Sequence, residues 1–289
     1  MGVGAKIRPL MPARTPWGEL RNELRPVEVI LRAGTDLLRE RLARRPAGGF
    51  RMDNAAGIGF ARSMVDFEGR DVLEIGGCTP EPQALATGCR SWLATDLCSS
   101  LPEPKDARYR VAREDARALR LPDASVDIVF SISALEHIPT PERCLQEVTR
   151  VLRPSGVFWT NFGPIWSGPI GHHVWFQHEG RRYTFNDGLL EPWEHLRFEP
   201  DELEARLAAR LGPEMARLAV ASSFADSRNR VHCDDYLRGI RDCGLAVAHL
   251  EKRRIRVPGA PSTIAELRER YPGNRDFETN GIRMLLQKV

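Results

Sequence analysis

Short apolar runs alternate with amphipathic stretches between residues 71 and 162. Val72-Leu-Glu-Ile75 has the length of a buried strand and stops at Gly76-Gly77. The stretch from Glu81 to Cys89 predicts a helix. Trp92-Leu-Ala-Thr95 predicts a second strand, ending at Asp96. A third ends near Val111 to Arg113, with Asp115 in the loop beyond it, and Val126-Asp-Ile-Val-Phe-Ser131 is a fourth. Thr140-Pro-Glu predicts a helix start, with the threonine as cap and the proline in the first turn. Leu145, Val148 and Leu152 form its apolar face, and Arg153-Pro-Ser-Gly156 stops it. Gly156 to Phe162 is a fifth strand. Strands alternating with helices predict an α/β fold with a mostly parallel sheet and helices on both faces. Ligands of such sheets bind at the carboxyl ends of the strands, so the residues that end each run are the ones to inspect.

The flanks differ. From Gly163 to about residue 232 the rhythm breaks into a stretch rich in Trp, His, Gly and Arg, with one helix predicted from Pro200 to Leu211. A connection of that length is unusual unless it is functional. Cys233 to Cys243 predicts another helix, and Ala246 to Val257 and Gly281 to Val289 predict closing strands. At the other end, Ile30, Leu31, Leu37, Leu38 and Leu42 mark one face of a helix beginning at Pro26. The expected organisation is a helical extension over residues 1–55 and one domain over residues 56–289, with an insertion at about 163–232.

Composition narrows the function. Apolar residues make up 42% of the 289, enough for a core. No run approaches the ~18 apolar residues of a membrane span. The 42 basic and 39 acidic side chains leave a net charge of +3, which argues against a dedicated nucleic-acid binder. Six cysteines, none in a C-x-x-C pair, read as reduced thiols rather than a zinc site. No apolar stretch typical of a signal peptide is present near residue 1. The expected compartment is the cytoplasm.

Three acidic strand ends carry the candidate chemistry. Asp71-Val-Leu-Glu-Ile-Gly-Gly-Cys-Thr79 joins an acid to glycines that let a backbone approach a ligand. Asp96 ends the next strand, about 20 residues after Glu74, the separation expected of a ribose-binding acid. Glu114-Asp-Ala116 offers a carboxylate and a backbone N–H to an adenine edge. With Leu135-Glu-His-Ile138 and Arg150-Val-Leu-Arg-Pro-Ser-Gly156, the segment 71–162 resembles the class I S-adenosylmethionine-dependent methyltransferases of the small-molecule and quinone group. The resemblance implies a Rossmann-like seven-stranded sheet whose last strand is antiparallel. It implies S-adenosylmethionine as cofactor and S-adenosylhomocysteine as product. It places the methionine end near Glu74, Gly76 and Gly77, the ribose on Asp96 beside Leu97, and the adenine by Asp115 and Ala116, with Ser131 also at the site. The loop departs from the family's glycine pattern at Cys78 and Pro80. That departure keeps a non-catalytic nucleotide-binding module in view.

Histidines are the candidate bases, because an imidazole titrates near working pH. His137 follows the fourth strand. His172 and His173 follow the fifth closely enough to reach the cleft mouth. No H-E-x-x-H pattern accompanies them, and no metal is expected. Trp166, Trp175, Phe176, Tyr183, Phe185 and Trp193, interleaved with His178, Arg181 and Arg182, suit a lid over a small polar or aromatic ligand. The leading expectation is O-methylation of a sugar-bearing or phenolic metabolite by an enzyme with no membrane or nucleic-acid partner, possible as a homodimer. A methyltransferase acting on protein, peptide or RNA is the alternative.

Overall fold

The computed structural model describes residues 54–77, 79–97 and 106–289. The helix expected from Pro26, most of the extension over residues 1–55, and Cys78 and Cys98 lie outside them.

Helix α1 (Asn54–Arg62) leads into β1 (Asp71–Ile75), α2 (Glu81–Leu85), β2 (Ser91–Asp96), β3 (Tyr109–Arg113) and β4 (Val126–Ile132). A single 3₁₀ turn over Leu135–His137 precedes α3 (Pro141–Val151) and β5 (Leu152–Phe162). The insertion then contributes the hairpin β6 (Trp175–His178) and β7 (Arg181–Thr184), followed by α4 (Glu194–Arg197), α5 (Pro200–Leu211) and α6 (Pro213–Ser223). The chain closes with α7 (Cys233–Asp242), β8 (Ala246–Arg254), α8 (Ala260–Arg270) and β9 (Thr279–Gln287).

Seven strands form one sheet in the order β3-β2-β1-β4-β5-β9-β8. The pairs from β3 through β5 are parallel, and β9 runs antiparallel to both of its neighbours. This is the sheet the sequence predicts. Its order reverses between β1 and β4, and a cleft opens there at the carboxyl ends of the strands.

Period-two alternation assigns the two faces of the sheet. On one face Leu73, Ile75, Val129, Phe158, Phe162 and Met284 pack with Cys144, Leu145, Val148 and Val151 of α3 and Tyr236 and Ile240 of α7. On the other, Val72, Trp92, Ile128, Phe130, Trp159 and Leu285 pack with Ile58 and Ala61 of α1. Phe130 bridges Trp92 and Trp159 there, with ring centroids 5.5 and 5.2 Å away. Burial of such rings supplies most of the driving force at that face.

Three features depart from the sequence reading. Thr140 sits at φ 51° and makes no cap; its hydroxyl donates to the Pro139 carbonyl instead. Helix α2 ends at Leu85, short of Cys89, because Gly88 turns the chain at φ 80°. The β6–β7 hairpin, α6 and α8 carry no strong periodic signal and were not expected. The insertion holds a core of its own, with Val174, Leu190, Leu203, Leu207 and Ala219 buried together. Trp193 belongs to another small core with Leu196, Leu267 and Phe277, and its indole N–H donates to the Phe277 carbonyl at 2.7 Å. It is therefore a packing residue, not a wall of the cleft. Among the described residues no helix is long and apolar enough to cross a membrane.

Candidate active site

The cleft is about 250 Å³ and lies over the ends of β1, β2 and β4, with Ile75, Gly76, Asp96, Leu97, Asp115, Ala116 and His137 among its lining residues. A larger hollow of about 490 Å³ between α3 and α7 contains none of the sequence-predicted site residues.

Gly76 follows β1 at φ 85°, a conformation that favours glycine. A Cβ added there would stand 2.6 Å from the Ala134 Cβ across the loop from β4. Gly77 does not line the cleft. Its position favours glycine, because a Cβ would come to 3.1 Å from the Thr95 backbone. Both glycine N–H groups donate to the Thr95 carbonyl at 2.9 Å, which ties the loop to β2.

Glu74 is buried beneath this loop rather than exposed in the cleft. Its Oε1 accepts from the Thr79 N–H at 2.9 Å and the Thr79 hydroxyl at 2.6 Å, and its Oε2 accepts from the Trp92 indole at 2.7 Å. The carboxylate thus folds the glycine loop back toward β1. These bonds give Glu74 a loop-orienting part in place of a cleft-lining one. Ser131 is corrected in the same way. It is fully buried on the α3 side of β4, and the strand continues through Ile132 before turning at Ser133. Ser133 and Ala134 line the cleft in its place.

Asp96 ends β2, and its carbonyl accepts from the Glu114 N–H, so the β2 and β3 ends are held together. Asp115 accepts from Arg117 through the backbone N–H and the guanidinium at 2.7–3.2 Å. Those bonds hold its carboxyl below the usual range. The Ala116 N–H has no acceptor among the described residues. A carboxylate at the β2 end, an open backbone donor beside Asp115, and the apolar walls Ile75, Leu97 and Ile138 suit a nucleoside with a diol and an adenine edge. The loop at Gly76 leaves no side chain where the methionine end would pass. These residues fit S-adenosylmethionine.

The three candidate histidines separate. His172 is buried away from the cleft, where its Nδ1 accepts from the Val174 N–H at 3.2 Å and its ring faces His195. Burial holds its imidazole well below the usual range. It is a structural residue, which corrects its place among the candidate bases. His137 and His173 come together, with ring centroids 5.0 Å apart, and Phe185 stands edge-on to His173 at 5.4 Å. His173 adopts φ 51°, a strained conformation of the kind that collects at working sites. His137 Nδ1 lies 2.9 Å from the Ser227 carbonyl. A hydrogen bond to that carbonyl takes Nδ1–H as donor, whereas one from Arg228 Nη1, 3.2 Å from the same nitrogen, takes a bare Nδ1; the shorter carbonyl contact selects Nδ1–H and leaves the lone pair on Nε2. Burial lowers the His137 pKa, with the Ser227 bond opposing and Arg228 adding to the shift.

The sequence reading missed three residues around this pair. Arg228 places Nη1 3.2 Å from His137 Nδ1 and donates from Nη2 to the His173 carbonyl at 3.4 Å. Asn229 donates to the Leu135 and Ile138 carbonyls at 2.6 and 2.9 Å, which fixes the turn carrying His137. Glu136 is buried on the far side of that turn, where Oε1 accepts from the Gly163 N–H at 3.2 Å. Burial pushes its carboxyl up to about 8. Arg228 and Asn229 lie about ninety residues beyond the turn they hold, and no local pattern links them.

Residues 73–160 match the family described as Methyltransferase domain. A protein named "Uncharacterized methyltransferase" from Mycobacteroides abscessus is 32% identical over 123 residues, covering 38% of this chain and 45% of that protein. The 2-methyl-6-phytyl-1,4-hydroquinone methyltransferase of a Synechocystis species is 29% identical over 161 residues, covering 53% and 42%. The chain thus spans under half the length of these curated relatives. Among solved structures, an S-adenosylmethionine dependent methyltransferase from Mesorhizobium loti aligns at 19% identity and a TM-score of 0.48, covering 82% of this chain and 100% of that one. The strand order and the cleft composition agree with the family match, and residues 73–160 carry a methyltransferase domain.

Proposed function

We propose that the protein methylates the oxygen of a small phenolic metabolite, with His137 as the general base. One observation carries the reading. His137 lines the donor cleft with Nδ1 anchored on Ser227 and Nε2 left as the acceptor nitrogen. When bound, S-adenosylmethionine supplies a methyl group activated by its sulfonium. The chain's part is to hold the acceptor in line and to remove its proton. Asp96 and Ala116 fix the nucleoside end, and the Gly76 turn leaves room for the methionine end. His137 Nε2 takes the hydroxyl proton. His173 stands beside it with its ring tilted by 52°, and Phe185 stands edge-on to His173. The segment 163–232 acts as the lid, since its hairpin side delivers His173 and its end delivers Arg228. The name of the Synechocystis relative likewise contains a hydroquinone, a phenolic ring. The residues of the chain outside the matched segment are read as serving the same activity in the cytoplasm.

The test is turnover with labelled S-adenosylmethionine on a panel of simple phenols and catechols. Proton removal by a positioned base contributes ~10²–10⁴-fold. His137→Ala should lower kcat by that amount with the cofactor affinity unchanged. Equal turnover in wild type and His137→Ala would refute His137 as base.

A further inference from the structure

We infer that the acceptor is an anion, a carboxylate-bearing small molecule whose acidic group is held by Arg228. This rests on reading the cleft as the methyl-donor site. Arg228 is half-buried against both members of the histidine pair. Its Nη1 donates to the Ser227 hydroxyl at 2.9 Å and faces His137 Nδ1, and its Nη2 meets the His173 carbonyl at 3.4 Å. Its Nε–H is buried with no partner. Among the described residues it forms no ion pair, and every group it touches is neutral or a dipole.

The carboxyl that acts on Arg228 is Glu136. Glu136 is fully enclosed, with Oε2 lacking any partner, and burial keeps it protonated near neutral pH. His137 and His173 are neutral there as well, because burial lowers both imidazoles. Arg228 therefore stands as a partly desolvated positive charge with no counter-charge among the described residues. A charge removed from water without a partner is costly, and an anionic ligand would supply the partner that the described residues do not. A guanidinium presents its donors as a planar fork that matches a carboxylate. Placed beside His137, that fork would hold an acidic group on an acceptor while the imidazole meets its hydroxyl. A phosphate would bring a second negative charge that one guanidinium leaves unmatched.

The experiment uses the full chain saturated with S-adenosylhomocysteine, titrated calorimetrically with benzoate and with its uncharged analogue benzamide. Wild type should bind benzoate about ten- to a hundredfold more tightly than benzamide, the range of hydrogen bonds to a charged group. Arg228→Gln should remove that preference and leave S-adenosylhomocysteine affinity unchanged, which also shows that the variant is folded. Arg228→Lys, which keeps the charge without the fork, should retain part of it. Equal or absent binding of both probes by wild type, or a preference that survives Arg228→Gln, would overturn the inference. A wild-type chain that fails to bind S-adenosylhomocysteine would instead remove the donor-site reading beneath it.

Discussion

Asp96 and Asp115 line the same cleft in different electrostatic settings. Asp115 is already bonded three ways by Arg117, so its remaining lone-pair capacity is small. Asp115→Asn should therefore weaken S-adenosylmethionine binding only mildly. Asp115→Leu should weaken it more, because it also strands Arg117; indistinguishable affinities by calorimetry would refute a direct contact. The two histidines of the pair differ in the same manner. His137 has its pKa lowered, chiefly by desolvation, so it is neutral at every pH above the usual imidazole range. Turnover should stay flat from pH 8 to below 6.5 and fall only in more acid solution. A rate that climbs through pH 7 would contradict that. His172→Ala should lower the melting temperature without changing cofactor affinity, since the residue fills core.

At the scale of elements, the β1 turn and the turn after β4 decide whether a cleft exists. Gly76→Ala adds a Cβ at φ 85° only 2.6 Å from Ala134. Strained non-glycine positions cost of order 1–3 kcal/mol, so cofactor affinity should fall steeply while the sheet persists. The turn after β4 rests on Glu136. Its carboxyl is raised from an ordinary 4.5 to about 8 in the folded chain. The folded state therefore binds that proton more tightly. Its stabilising effect is complete below about 4.5 and is lost as pH rises to about 8. The melting temperature of wild type should fall relative to Glu136→Gln across that window, and parallel pH curves for the two proteins would refute a buried neutral acid. Element by element, legibility followed periodicity. Strands such as Val126–Ile132 are apolar nearly throughout and were readable because both faces of a parallel sheet are covered. The hairpin Trp175–Thr184 alternates weakly, with Arg181 and Arg182 both exposed, and its pairing follows from contact with α6 rather than from its own pattern. Glu74 and Ser131 misled for one reason. A strand position does not reveal which face, or which depth, its side chain meets.

Over the whole molecule, the grouping of the strand-end residues was legible in the sequence and that of the insertion was not. Asp96, Asp115, Ala116 and Gly76 sit at the ends of consecutive strands, so their order along the chain is their order around the cleft. At the proposed acceptor site, His137, His173 and Arg228 come from three separated segments that the insertion folds together. Their meeting depends on a small independent core that no local signal announces. Everything proposed for the cleft depends on this fold holding S-adenosylmethionine at the β2 end. The most direct test is calorimetric binding of S-adenosylmethionine to wild type and to Asp96→Ala. Loss of a charged acceptor for hydrogen bonds costs ~1.5–3 kcal/mol. Wild type should bind with one site per chain, and the variant should bind about ten- to a hundredfold more weakly with an unchanged circular dichroism spectrum. No binding by wild type, or equal affinity in both proteins, would contradict the account.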